Sequence, residues 1–337
     1  MTVIVLALVV TGSLPSRNGL GSAPDRHGTP IPGQTPFQVG TGGALPFSPA
    51  SIWNNPLGDN APLSPDSDAL VQAFNHQWLT NYGSVGINTD DYSIPIYTVP
   101  ATQPTVSVSI APGCHSDPGL IAQFRAVPIP PEASPANGSD HSLVIWQPST
   151  DTEWELWVAQ RAPSGGWSAC WGGRMTHVST SNGAFPSPYG VAASGLAYLG
   201  GTIKVSELRA GEIMHALSVN LVHTTAGSQV APANRNDGNS TAADAIPEGT
   251  RFRLDPTIDV TKLGLGPAGV VIARALQRYG MIVTDTSGAV VVVAEDGESY
   301  VAGGGTNPYP SLFTGQAPYE VLSWIPWNRL QVVSPGN

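Results

Sequence analysis

DHSLVIWQPSTDTEWELWVAQ, residues 140–160, decides how the rest of the chain is read. Strands at 141–147 and 152–160 are joined by PSTD, a hairpin-type connection. In the second strand Trp154, Leu156 and Val158 share one face, while Glu153, Glu155 and Trp157 share the other. One face reads as core and the other as polar.

The same alternation recurs on both sides. YSIPIYTVPATQPTVSVSI (92–110) alternates apolar and polar residues, and its prolines confine it to edge strands or strand ends. TIKVSEL (202–208) and IMHALSVNL (213–221) read as strands with RAGE as the turn, and MIVTDTSGAVVVVAED (281–296) as a hairpin turning at Thr286-Ser287-Gly288. Only two segments carry a helical period. SPDSDALVQAFNHQWLTNY (64–82) places Leu70, Val71, Phe74 and Trp78 on one face behind a Ser/Asp cap region. GPAGVVIARALQRYG (266–280) has Pro267 near its first turn and Gly280 as terminator. With 38 glycines, 32 prolines and only 11% charged residues, the composition favours many short strands over long surface helices. These readings predict an all-β fold: one jelly-roll-like β-sandwich over 49–337 with two peripheral helices. A parallel α/β sheet is the alternative.

A formal net charge of −10 without a local Lys/Arg cluster repels phosphate backbones, so nucleic acid is not an expected partner. The apolar run Val3–Val10, followed by Gly12 and Ser13, reads over residues 1–13 as a secretory signal, with a first β-strand as the other reading. It is too short to span a bilayer. Residues 14–48, rich in Gly, Pro, Ser and Thr, read as a flexible lead-in. In an exported protein Cys114 and Cys170 most simply form one disulfide.

Chemistry-bearing residues cluster in a few places. His141 is in phase with Leu143 and Ile145, and His215 with Leu217 and Val219, so both imidazoles head apolar strand faces. Each is either a strand-end histidine satisfied by a carbonyl or part of a polar site at the edge of the core. Beyond His215 a polar loop carries Arg235, Asp237 and Asp244, followed by Arg251 and Arg253 in GTRFRL. An arginine fork suits a carboxylate or sugar hydroxyls, and an ordinary solvated ion pair is the plainer reading. Trp157 shares the face of Glu155 and, with Trp146 and His177, is a candidate substrate-binding group. The familiar zinc-protease, P-loop, nucleophile-elbow and EF-hand motifs are absent.

The stretch ASGLAYLGGTIKVSELRAGEIMHALSVNL, the Arg235–Gly238 loop, GTRFRL and ARALQRYGMIVTD together resemble a group of exported bacterial proteins common in actinobacteria and related soil organisms. The likeness spans roughly residues 50–300, from SIWNNPLGDNAPLSPDSDAL onward. That group has no settled activity, so the resemblance implies export and a set of residues, His141, Glu155, His215 and Arg235, rather than a reaction. Many members place a tryptophan-proline phrase before the arginine; this chain has APANR, without the stacking ring.

The expected function is that of a secreted protein that binds and cleaves an extracellular polysaccharide, with His141, Glu155, His215, Arg235 and Asp237 as the site and no cofactor. In a lyase, Arg235 would neutralise a uronate while a histidine removes the neighbouring proton. In a glycoside hydrolase, Glu155 and Asp237 would be the carboxyl pair. A non-catalytic carbohydrate-binding or phage tail or surface adhesin module suits the same composition. A third reading joins His141, Glu155 and His215 as a two-histidine, one-carboxylate metal site.

Overall fold

The 140–160 stretch forms its hairpin, with Leu143 opposite Leu156 and Ile145 opposite Trp154, and Val144 opposite Glu155 on the other face. The structure is a computed structural model that describes residues 45–335; the apolar segment 1–13 and most of the 14–48 lead-in lie outside the described residues. Its strands are β1 (Gly86–Asn88), β2 (Ile96–Thr98), β3 (Val108–Ile110), β4 (Leu143–Gln147), β5 (Thr152–Trp157), β6 (Gln160–Arg161), β7 (Trp167–Ala169), β8 (Trp171–Thr176), β9 (Leu217–Leu221), β10 (Thr224–Gln229), β11 (Ile246–Glu248), β12 (Arg251–Leu254), β13 (Met281–Thr286), β14 (Val291–Val293) and β15 (Leu330–Val333). The helices are α1 (Ser67–Thr80), α2 (Pro118–Gln123), α3 (Tyr198–Gly201), α4 (Val205–Ala210), α5 (Pro267–Arg278), α6 (Glu298–Ala302) and α7 (Tyr309–Leu312).

Two sheets organise the molecule. A six-stranded sheet runs β1-β14-β9-β13-β12-β15, and a four-stranded sheet runs β2-β4-β5-β8. One face of the larger sheet, with Leu217, Val219, Val283 and Phe252, buries the two expected helices through Val71 and Phe74 of α1 and Val271, Ile272 and Leu276 of α5. The Phe74 ring lies 5.2 Å from Phe252 and 5.7 Å from Trp327. Pro267 opens α5, and Gly280, at a positive φ of 76°, follows its end. The opposite face of this sheet, with Ala216, Ile282 and Val293, shares an apolar interior with Val144 and Met175 of the smaller sheet and with Trp53 and Leu196. The outer face of the smaller sheet, with Leu143, Ile145, Trp154 and Leu156, packs on Leu120, Phe124 and Trp167.

The fold is therefore β-rich, as expected. The strand order is less simple than the sequence implies: five pairings are parallel, β1 with β14, β9 with β13, β2 with β4, β3 with β7 and β10 with β11, where a jelly roll implies antiparallel neighbours. The 281–296 segment is not a closed hairpin, because β9 lies between β13 and β14. After β13, the N–H of Ser287 donates to the carbonyl of Leu221 at the end of β9, which carries the chain past that strand. TIKVSEL is helical from Val205. Val205 and Leu208, three residues apart, are both buried, Glu207 accepts the Lys204 N–H at 2.9 Å, and Gly211 closes the turn at φ 77°. The polar face of β5 is also buried: Glu153 and Glu155 have no solvent exposure.

Cys114 and Cys170 form the disulfide, with Cα atoms 5.2 Å apart. Among the described residues no helix is long and apolar enough to cross a membrane.

Candidate functional site

Asp285 owes its position to a break in β13. The register with β9 shifts between Val283 and Asp285, the irregularity that re-aims side chains at sheet edges. The Thr284 carbonyl at this break accepts the Ser194 N–H at 3.0 Å, and the Asp285 carboxylate accepts the Ala193 N–H at 2.9 Å and the Tyr198 hydroxyl at 3.3 Å. Thr284 turns inward and donates its hydroxyl to Asn220 at 2.8 Å. A polar connection in the sequence thus becomes a docking point for residues 190–198.

Those residues also hold Arg235. Its Nη2 donates to the carbonyls of Gly190 at 2.8 Å and Ala192 at 2.6 Å, and Asn234 beside it donates to Phe185 at 2.8 Å. The Arg235 Nε is buried without a hydrogen-bond partner. Four carboxyl groups act on its charge: Asp285, Asp237, Glu155 and Glu248. Burial lowers the pKa of the guanidinium, and those acids work against the shift.

Glu248 forms the floor. It is fully buried at the end of β11, where the Val230 N–H donates to its backbone carbonyl at 2.9 Å and the next residue, Gly249, donates to Val283 at 2.8 Å. Its carboxyl interacts with the Asp237 carboxyl and with the Thr224 hydroxyl. Burial first, then Asp285 and Asp237, push this carboxyl up to about 9, so it is protonated at neutral pH. Asp285, half-buried, is raised to about 7, by burial and then by Asp237. Asp237 stays open to solvent at the rim, but the protein around its carboxyl raises it while Arg235 opposes the rise.

Glu155 stands behind the cluster. It accepts the N–H groups of Tyr198 at 2.6 Å and Val191 at 3.2 Å, and so caps the start of α3. Burial raises it to about 7 against these bonds and against Arg235. Tyr198 therefore links the two sheets, with its backbone on Glu155 of β5 and its hydroxyl on Asp285 of β13.

Of the residues singled out in the sequence, Glu155, Arg235 and Asp237 come together, while the histidines stand apart from them. His141 sits at φ 42° before β4, and its Nδ1 pairs with the Ala136 carbonyl at 3.1 Å. His215 is buried away from the cluster, with Nδ1 on the Ala216 carbonyl at 2.8 Å and Nε2 on Glu207 at 3.0 Å. His177 is exposed in a turn at φ 56°. Trp146 is half-buried against the inter-sheet core, across from Glu153. Trp157 points its Nε1 at Asp140, 3.4 Å away, and the Asp140 charge reaches Asp285 and Tyr198. Among the described residues no group of three His, Cys, Asp or Glu side chains is arranged to hold a metal ion, so His141, Glu155 and His215 do not form one.

Glu248, Asp285 and Tyr198 were missed in the sequence. The one signal was the polar Thr284-Asp285 pair interrupting the Met281–Val283 apolar run, and it reads equally well as the approach to a turn. An aromatic group continues from the site: Tyr189, next to Gly190, stacks on Trp171 with centroids 6.0 Å apart and 21° between planes, and Trp171 stands opposite Trp157 across β5 and β8. Comparison of the chain with family models, with curated proteins and with solved structures gave no match.

Proposed function

We propose that the rim formed by Asp237, Arg235 and Asp285 hydrolyses glycosidic bonds in an extracellular polysaccharide. The observation that carries this reading is a pair of carboxyl groups in unlike settings, Asp237 and Asp285, that both act on one arginine and on a third, buried and protonated carboxyl, Glu248. Paired acids whose surroundings push them apart are the usual arrangement for acid and base roles. Asp285, raised to about 7, keeps a protonated fraction near neutrality and is suited to be the general acid. Asp237, solvent-open and facing Arg235, is suited to be the base.

In the proposed step Asp285 gives its proton to the bridging oxygen as the bond from that oxygen to the anomeric carbon breaks. Asp237 takes a proton from a water whose oxygen bonds to the same carbon. The products are two sugar hydroxyls, ionised Asp285 and protonated Asp237, and exchange with solvent resets both. Glu248 and Glu155 are positioning residues: the first interacts with the Asp237 carboxyl, and the second fixes Tyr198, which bonds Asp285. Hydrolysis is favoured over a lyase because His141, bonded through Nδ1 to the Ala136 carbonyl, and His215, engaged at both ring nitrogens, are held by groups other than Arg235. The disulfide supports export.

The test is reducing-end release from a panel of soluble polysaccharides by the full chain. Asp285→Asn and Asp237→Asn should each lower kcat by about 100-fold or more, the range expected for loss of a general acid or base. Unsaturated products absorbing in the ultraviolet would select the lyase, and binding without cleavage by the unaltered protein would select a binding module.

A further inference from the structure

A cavity of about 360 Å³ is bordered by the first turn of α1, β11, β12 and β15, and none of Glu155, Arg235, Asp237, Glu248 and Asp285 lines it. Its volume falls in the range of about 300–1,000 Å³ that small-molecule sites occupy. Five separate segments bring apolar side chains to its wall: Ile52, Leu70, Val230, Pro232, Pro247 and Val332. The first five of these are only half-buried, so a ligand with an apolar body would remove their remaining surface from water. Set into the same wall is Arg251, buried to 8% exposure. Its Nε donates to the Tyr279 carbonyl at 2.9 Å, and its Nη2 to the carbonyls of Tyr279 at 2.6 Å and Asn55 at 3.2 Å. Burial lowers this guanidinium to about 10, which leaves it charged at neutral pH. A carbonyl offers it a dipole, whereas a carboxylate in the cavity would offer a full charge and a stronger bond. Asp66 also lines the cavity, but it is exposed, so water and salt screen its charge far more than that of the buried arginine. Arg251 therefore sets the sign of the ligand.

We infer that this cavity binds a small monocarboxylate with an apolar body, of the medium-chain fatty-acid type, its carboxylate at Arg251 and its chain against Leu70, Val230 and Val332. The planar guanidinium fork matches a carboxylate in shape as well as in charge. A neutral amide of the same chain keeps the apolar contacts but loses the charge, and an amine reverses it. The inference is independent of the glycan reading above, and neither depends on the other.

Calorimetric titration of the full chain at neutral pH with octanoate, octanamide and octylamine tests it. Octanoate is expected to bind at a single site per chain, at least about tenfold tighter than octanamide, with octylamine weakest. Leu70→Trp, which sets a larger ring into the cavity from a half-buried position on α1, should weaken octanoate by about tenfold or more. Arg251→Gln should bring octanoate down to the affinity of octanamide. Melting curves establish that each variant is folded. If Arg251→Gln does not fold, the order of the three probes on the unaltered chain still tests the charge, and Leu70→Trp still tests the place. Octanamide or octylamine binding as tightly as octanoate, octanoate binding that Leu70→Trp leaves unaltered, or no binding of octanoate would overturn the inference.

Discussion

Glu153 and Glu155 stand two residues apart on the same face of β5, both without solvent exposure, and only Glu155 has hydrogen-bond partners. Burial pushes Glu153 well above the ordinary carboxyl range, with Glu155 adding to the rise and Lys204 opposing it. Glu153→Gln should therefore be neutral or stabilising at neutral pH, because it removes a titrating group that nothing satisfies. Glu155→Gln should cost about 1–3 kcal/mol, since an amide nitrogen would face either the Tyr198 or the Val191 N–H. Urea unfolding of both variants checks the contrast, and equal effects would refute the capping role.

The pH dependence of stability follows from the same burial. Glu248 (about 9), Asp285, Glu155 and Glu295 (about 7) and Asp296 (about 6) all titrate above their unfolded values near 4. Between these limits the folded chain binds more protons than the unfolded one, so the stabilisation is complete below about pH 4 and is lost as pH rises through each folded value. Glu207 acts the other way: burial would raise it, but His215 and Lys204 hold it at about 2, so its contribution is lost only as pH falls toward that value. Melting temperature should therefore be highest at about pH 4 and decline steadily toward about pH 9. A maximum at or above neutrality in a pH series of thermal melts would contradict this.

The 140–160 hairpin and both long helices were legible because each rests on local signals, period and turn residues, and the disulfide because the chain has only two cysteines to pair. The place of β9 was not, since Ser287 bonding to Leu221 is a contact 66 positions apart in the chain, and no turn preference encodes it. The site divided in the same way. Arg235 and Asp237 declare themselves in a polar loop, whereas Asp285 matters because of a register shift and Glu248 because Gly249 presses β11 against Val230. Strand phase was right that His215 turns inward, but phase cannot distinguish a ring aimed into a cleft from one bonded at both nitrogens.

His215→Ala should accordingly behave as a structural substitution. It removes a ring of 1% exposure, deletes bonds to the Ala216 carbonyl and to Glu207, and leaves that carboxylate without its histidine partner. A loss of about 2–4 kcal/mol is expected. Glycan binding measured well below the lowered melting temperature should be unchanged. A variant that keeps its melting temperature but loses binding would return His215 to the site.

Gly249 gives the sharpest test of how the cluster is assembled. It adopts φ +89°, where L side chains are strained, and a Cβ there would fall 1.8 Å from the Val230 carbonyl oxygen. That contact is backbone to backbone, so no side-chain rotation relieves it, and β11 or the end of β10 must shift. Glu248 is the preceding residue, with its own carbonyl bonded to the Val230 N–H, so the shift displaces the floor of the cluster along with the strand. Gly249→Ala should lower stability by about 2–4 kcal/mol, combining strain with the lost close approach. Any protein that still folds should also show a changed pH–rate profile, because Glu248 no longer stands against Asp237 and Asp285. Gly288→Ala is the matched control, since its added Cβ meets nothing within 4 Å, and it should leave both melting temperature and pH profile unchanged. If the two alanine variants melt alike, the close approach of β11 to Val230 does not exist in solution.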